Sequence, residues 1–296
     1  MAKGPGVAPP HPHGLAAARP RRTACRYGAG AADPLPGFKA HLAEMSERLE
    51  PLLHLSLIDA LNGPGRDAAF WQDTRIAQPA IVAVSLACAQ WWTSLGIKTD
   101  VMLGHSLGEY TAACLAGVFS TDAVLQIVTK RARLMAGMPA GAMLAVALDE
   151  TGLNSLLLQH SELDLAALNG PRQGVVSGPA DAIEALANDL KQRGIPTQRL
   201  RTSHAFHSRA MAPAASALAT FLTSQTLNRP TRKFISNLTG TWITPEQAVS
   251  PDYWARHMLA PVRFAHGLQT LQEKGPRWSL RPARDTCSAH WHAARG

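Results

Sequence analysis

The sequence predicts an α/β protein: a parallel sheet covered by helices, with a smaller β-α-β-β-α-β body inserted into it. Three observations carry this. Val101–Leu103 is a short apolar run that reads as a buried strand, Gly104-His105-Ser106-Leu107-Gly108 follows as a turn, and Glu109–Leu115 continues with helical periodicity. Elsewhere before Gly141, apolar helical stretches alternate with short buried runs, the pattern of a parallel α/β sheet. After Gly141 the order changes to strand, helix, strand, strand, helix, strand, which is ferredoxin-like.

Residues 1–34 are rich in Pro, Ala and Arg and have no apolar period, so an irregular basic tail is expected. Order begins near Pro36-Gly37. Phe38, Leu42, Met45, Leu49 and Leu52-Leu53 recur at helical spacing. Asn62-Gly63-Pro64-Gly65 is a loop. Pro79 suits a first helical position, so a buried apolar helix is expected over Ala80–Trp92, ended by Gly96. Thr121-Asp122 reads as the cap of a helix over Ala123–Met135. The smaller body then reads as a strand over Ala142–Leu148, a helix over Glu150–His160 and a strand over Leu163–Leu168. A turn at Asn169-Gly170 leads to a strand over Gly174–Ser177, a helix over Asp181–Gln192 closed by Gly194, and a strand over Pro196–Thr202. The chain returns through Ser203–Met211 and a helix over Pro213–Leu222. Apolar elements at Phe234–Ile235 and Val262–Leu271 complete the larger body. The expected division is a large domain over 35–141 and 204–276, a small domain over 142–203, and an irregular tail over 277–296.

The chain has 296 residues, 46% of them hydrophobic, enough for one large core or two modest ones. No run of 18 apolar residues occurs, and no apolar stretch near Met1 resembles a secretory signal, so no membrane partner is expected. Cys25, Cys88, Cys114 and Cys287 lack metal-ligand spacing. Cys88 and Cys114 read as small core residues, which suits a reduced, cytoplasmic setting. The formal charge of +8 is unevenly placed. Lys3, Arg19, Arg21, Arg22 and Arg26 against Asp33 leave +4 in residues 1–34, and Lys274, Arg277, Arg281, Arg284 and Arg295 against Asp285 leave +4 in 274–296. The rest is neutral, so the charge is no nucleic-acid footprint.

Gly104-His105-Ser106-Leu107-Gly108 is G-x-S-x-G between a strand and a helix. A serine there sits on a strained turn, where side chains at Gly104 and Gly108 are expected to collide with neighbouring backbone. Its Oγ stands at the helix N-terminus, whose free N–H groups favour developing negative charge. A hydroxyl nucleophile needs a base. Among twelve histidines, His204 and His207 of His204-Ala205-Phe206-His207 lie where the chain leaves the small domain. The residues leave the choice between those two open, and no Asp is placed as a third member. Arg131, on the next helix, fits either a solvated face, as expected of Lys130 and Arg133, or a fork for a carboxylate.

Six stretches in order, G-H-S-L-G-E-Y, K-R-A-R-L-M, A-L-N-G-P-R-Q-G-V-V-S-G-P, S-H-A-F-H-S-R-A-M, S-N-L-T-G and Y-W-A-R-H-M-L-A-P-V-R-F, closely resemble the acyltransferase domain of type I polyketide synthases. That family is related to the malonyl-CoA:acyl-carrier-protein transacylases of fatty-acid synthesis. The resemblance covers roughly 37–276 and implies an α/β-hydrolase-like large domain with a ferredoxin-like small domain. It implies Ser106 as nucleophile and His207 as general base, steadied by backbone carbonyls near S-N-L-T-G in place of an Asp, with Asn237 of that stretch behind the site. It implies Arg131 as the partner of the malonyl carboxylate, the Leu107 N–H as an oxyanion donor, and His105 and His257 as pocket-lining residues. His204-Ala205-Phe206 resembles the malonyl-type signature, in which Phe206 fills the space of an α-methyl; one methyl is worth about 1–3 kcal/mol of discrimination.

The implied reaction is ping-pong malonyl transfer from malonyl-CoA to the phosphopantetheine thiol of an acyl carrier protein, in polyketide or fatty-acid synthesis. No cofactor or metal is bound: coenzyme A arrives with the substrate and phosphopantetheine with the partner. Other polyketide synthase domains are further expected partners. A serine hydrolase or esterase of similar fold, and a truncated inactive acyltransferase fragment, are the competing readings. The family's G-Q-G-x-Q motif, whose Gln supplies a second oxyanion N–H, has no counterpart here, and Trp278-Ser279-Leu280-Arg281-Pro282 replaces an expected E-V-G-P strand. With permitted codons, Arg19–Ala31 read one base later encodes G-Q-G-A-Q-H-A-G-M-G-R-E. Residues before about Pro34 are therefore read as out of frame, and resequencing the gene decides this.

Overall fold

The computed structural model describes residues 37–64 and 66–274. The expectations for both basic tails, for Gly65 and for the E-V-G-P position fall outside those residues.

Helix α1, Phe38–Leu53, buries Phe38, Leu42, Met45 and Leu49 along one stripe. Two short helices follow, α2 over Leu57–Asn62 and α3 over Ala68–Gln72, capped by Ser56 and Asp67. Helix α4 runs over Thr74–Ser94, so Pro79 lies inside it and not at its start. The reason is Asp73, whose carboxylate accepts from the Arg75 N–H at 2.9 Å and also grips the Arg75 side chain. An interior proline costs about 3 kcal/mol. Burial of Ala80, Val82, Ala83, Leu86 and Ala87 on the same helix offsets it, since each large apolar side chain contributes about 1.5–3 kcal/mol.

Strand β1, Val101–Met102, pairs in parallel with β6, Lys233–Phe234. Among the described residues these two strands make up the sheet of the larger body. Helix α5, Gly108–Leu115, leaves the turn after β1. Helix α6 covers Thr121–Ala136, and its cap is Ser120, not Thr121-Asp122. The Ser120 hydroxyl accepts from the Ala123 N–H at 3.1 Å, while Asp122 turns outward to Arg48.

The smaller body contains β2 (Ala142–Val146), α7 (Glu150–Leu157), β3 (Asp164–Gly170), β4 (Gln173–Gly178), α8 (Ala180–Gln192) and β5 (Thr197–Arg199). Its strands lie in the order β3-β4-β2-β5, every neighbour antiparallel. The turn between β3 and β4 is Pro171-Arg172; Asn169-Gly170, expected to form it, belongs to β3. Ala142, Leu144 and Val146 of β2 face Leu153 and Leu156 of α7 and Ile183, Leu186 and Leu190 of α8. Met143 faces the opposite way, in a cluster with Ala167, Val175 and Val262, against which Phe206 packs. A strand covered on both faces reads as an unbroken apolar run, which is why β2 shows no alternation.

The return to the larger body passes one 3₁₀ turn, Arg209–Met211, and α9, Ala212–Leu222. After β6 come α10 (Pro245–Ala248), α11 (Pro251–Leu259) and α12 (Phe264–Lys274). Neither α10 nor α11 is among the elements expected from the sequence. Capping explains both: Thr244 and Gln247 form a reciprocal capping box, and Ser250 caps α11 ahead of Pro251. Trp254 of α11 is wholly buried in the large core beside Tyr110 and Phe119. No helix among the described residues is long and apolar enough to cross a membrane.

Candidate active site

The site begins with the turn after β1. Ser106 has a left-handed backbone, φ 48°, which costs about 1–3 kcal/mol in a residue other than glycine and persists where its surroundings hold it. Gly104 makes the turn possible, because a Cβ there would lie 2.0 Å from the Gly108 carbonyl carbon. Gly108 itself faces open space, so the expected steric need for a second glycine is not met. Asn237 clamps the turn from the far side: its Oδ1 accepts from the Ser106 N–H at 2.6 Å and its Nδ2 donates to the Gly104 carbonyl at 2.7 Å. Leu107 takes the N-cap position of α5, which puts its N–H at the helix end beside the serine.

His207 reaches this serine from 101 residues away. Its Nε2 lies 2.6 Å from Ser106 Oγ, and its Nδ1 lies 3.0 Å from the Ala260 carbonyl. A carbonyl only accepts, so Nδ1 carries the hydrogen and Nε2 offers its lone pair to the hydroxyl. The steadying carbonyl is therefore that of Ala260, not one in the Ser236–Gly240 stretch. That stretch holds the serine turn instead. Ala260 is placed by β3 of the smaller body: the Leu168 N–H donates to the Val262 carbonyl at 2.8 Å, and the Val262 N–H donates to Ala166 at 2.9 Å. His207 also has a positive φ, 54°. Burial pushes its pKa well below the ordinary imidazole value, and the neighbouring His257, Arg131 and His105 push the same way against the Ala260 contact. It stays neutral and able to accept a proton.

That shift has a stability consequence. An unfolded histidine protonates near pH 6.5, while folded His207 does so only at lower pH. Below about pH 6.5 the unfolded chain binds the extra proton, so the stability present above that pH is progressively lost as pH falls toward the folded value. The midpoint of thermal unfolding should drop between pH 7.5 and 5, and a His207→Gln variant should show a flatter curve; equal slopes would disprove the linkage.

Arg131 is 3% exposed on α6. It donates through Nη1 to Gln78 Oε1, and its guanidinium carbon lies 5.6 Å from the centre of the Tyr110 ring. Among the described residues no carboxylate pairs with it, and its Nε has no hydrogen-bond partner. Burial lowers its pKa and also pushes the Tyr110 hydroxyl up to about 12, so the arginine is held by neutral groups. A buried cation held this way is set up for an anion from outside. Gln78, itself buried and bonded to Thr74 at 2.6 Å, escaped the sequence reading. Its one signal was an amide within an apolar helical run. Lys130 and Arg133 lie on the exposed face, as expected.

The remaining candidates divide. His105 Nε2 contacts Asn169 Oδ1 at 2.7 Å and its ring packs on Phe264, so it joins the serine turn to β3. Asn169, read as part of a turn, was missed for that reason. His204 is half-buried, bonded to Ser203 at 2.7 Å and stacked on Phe206 at 5.8 Å, and makes no contact with Ser106. His257 is buried behind His207, ring centres 6.2 Å apart, and lies against Glu109.

Known proteins resemble this chain in sequence and in fold. Residues 33–280 match a family model described as the acyl transferase domain. The chain is 41% identical over 212 residues to a phenolphthiocerol/phthiocerol polyketide synthase of Mycobacterium tuberculosis, covering 69% of this chain and 14% of that protein. It is 38% identical over 278 residues to spectinabilin polyketide synthase system protein NorB of Streptomyces orinoci, covering 90% of this chain and 13% of that protein. The chain thus spans a small part of the length of these relatives. Among solved structures, the acyl transferase domain of ZmaA superposes with a TM-score of 0.74 at 33% identity, over 81% of this chain and 56% of that one. Malonyl CoA-acyl carrier protein transacylase from Burkholderia pseudomallei superposes with a TM-score of 0.73 at 28% identity, over 80% of this chain and 82% of that one.

Proposed function

This chain belongs to the acyl transferase domain family, and on that premise we propose that it moves a malonyl group from malonyl-CoA through an ester on Ser106 to the phosphopantetheine thiol of an acyl carrier protein. The observation that carries the reading is the 2.6 Å contact between Ser106 Oγ and a neutral, buried His207, next to a buried arginine without an internal counter-charge. Ser106 Oγ attacks the thioester carbonyl while His207 Nε2 takes its proton. The Leu107 N–H faces the oxyanion. As the tetrahedral carbon collapses, the C–S bond breaks and the proton on His207 leaves with coenzyme A. The carrier's thiol then gives its proton to His207, attacks the acyl-serine and releases Ser106, which recovers the proton. Arg131 binds the free carboxylate of the acyl group and orients it through both halves.

Phe206, packed between the two bodies, sets the malonyl preference by filling the α-methyl position. The working division is 35–141 with 204–276 as the catalytic body and 142–203 as the body that places Ala260. A polyketide synthase is the setting, with its other domains as neighbours, and a cytoplasmic location goes with it.

Intact-mass measurement tests the proposal. Incubation with malonyl-CoA is expected to add one malonyl group, absent in Ser106→Ala, and the adduct should discharge onto a phosphopantetheinylated carrier faster than into water. Discharge into water at an equal rate would identify a hydrolase instead.

A further inference from the structure

Glu109 is the only acidic side chain fully buried among the described residues. It sits in the first turn of α5, three residues after the nucleophile. Its Oε2 accepts from the Asn237 N–H at 2.7 Å, its Oε1 accepts from the Tyr253 hydroxyl, and His257 Nε2 lies 3.2 Å from Oε2. Tyr253 also reaches Ser236 Oγ at 2.7 Å. A closed ring results. The Ser106 N–H donates to Asn237 Oδ1, the Asn237 N–H donates to Glu109, and the Glu109 N–H donates back to the Ser106 carbonyl at 2.9 Å. The strained nucleophile is thus held on both of its peptide groups by a circuit that runs through one carboxylate.

The charge has a second address. His207 must carry a proton partway through the reaction, and its Nδ1 rests on a neutral carbonyl. The groups that face it are Ser106 and His105 from the serine turn, Arg131 from α6, and His257 and the Ala260 carbonyl from the end of α11. None is an acid. Beyond His257 stands Glu109, faced in turn by Asn237, Tyr253 and His257. We propose that Glu109 is the displaced acid of this site, a positioning residue that acts through Asn237 on the Ser106 turn and across His257 on the imidazolium formed at His207. This rests on acyl transfer through Ser106 and His207.

Glu109→Gln in the full chain is the test. The amide oxygen can still accept from the Asn237 N–H and the amide nitrogen can donate to Tyr253, so the circuit persists and the charge goes. Ser106 acylation by malonyl-CoA should slow about tenfold, the order of effect of one charge acting through a partly screened interior. The KM for malonyl-CoA should change by less than about twofold. The acidic limb of the rate–pH curve should move to lower pH, because the imidazolium loses its counter-charge. A Gln variant with an unmoved limb, whether slow or fast, overturns the proposal, because a structural prop alone moves no limb. If the Gln variant does not fold, Glu109→Asp carries the test: the charge remains on a shorter arm, so a slower enzyme with the limb in place is expected, and a shifted limb overturns the proposal. Wild type and Ser106→Ala run alongside. A wild type that does not transfer malonyl sinks the reaction assignment itself, which is a different result from either outcome at Glu109.

Discussion

Acylation of Ser106 by malonyl-CoA should fall on the order of 10⁴-fold in a His207→Ala variant, the upper range for loss of a general base. The hydroxyl would keep its strained position, since Asn237 and not His207 holds the turn. What goes is the acceptor 2.6 Å from Oγ. His204→Ala is the matched comparison. It removes the other histidine of the same short stretch, but that side chain stacks on Phe206 and bonds Ser203. Its expected effect is a change in the ratio of malonyl to methylmalonyl transfer, with Ser106 still acylated. Stopped-flow or quenched-flow acylation, followed by mass, separates the two. Should His204→Ala abolish acylation and His207→Ala preserve it, the base has been misassigned.

Replacement of Arg131 by alanine should lower malonyl transfer by about 10²–10⁴-fold in kcat/KM, the equivalent of about 3–5 kcal/mol for breaking a buried charge pair. Acetyl transfer should rise relative to malonyl, because an uncharged acyl group no longer has to sit beside an unpaired cation. Gln78 sharpens this test. Gln78→Glu keeps the volume and places a carboxylate where an amide oxygen now accepts from Arg131. The guanidinium then has an internal partner, and the substrate carboxylate must compete with it. We expect malonyl transfer to fall toward the Arg131→Ala level with the protein still folded and the Ser106–His207 pair intact. Malonyl transfer at the wild-type rate in either variant would remove Arg131 from its assigned role.

Much of this architecture is legible in the sequence alone. The Ser106 turn announced itself through an apolar run, a glycine and a helical period packed into consecutive residues. The order of elements from Ala142 to Arg199 followed from the same local signals, because apolar periodicity and punctuation by Gly and Pro are properties of neighbouring residues. Where local rules erred, a nearby polar group had outweighed them. Asp73 moved the start of α4 ahead of Pro79, Ser120 took the cap from Thr121, and pairing with β4 carried β3 through Asn169 and Gly170.

The contacts that make a site are of another kind. Ser106 and His207 stand 101 residues apart, Ser106 and Asn237 131, and Arg131 and Gln78 53. No periodicity carries information across such distances, so residue chemistry could nominate His204 and His207 together without ranking them. Packing ranks them: the left-handed backbone at His207 turns its ring between Ser106 and Ala260, while His204 stays in a bridge with Ala140. The same holds for Gln78 and Glu109. Each reads along the chain as an ordinary polar residue on an apolar helix. Burial, which desolvates a group and makes its few remaining partners decisive, is what gives each its part in the site, and burial is set by the whole fold.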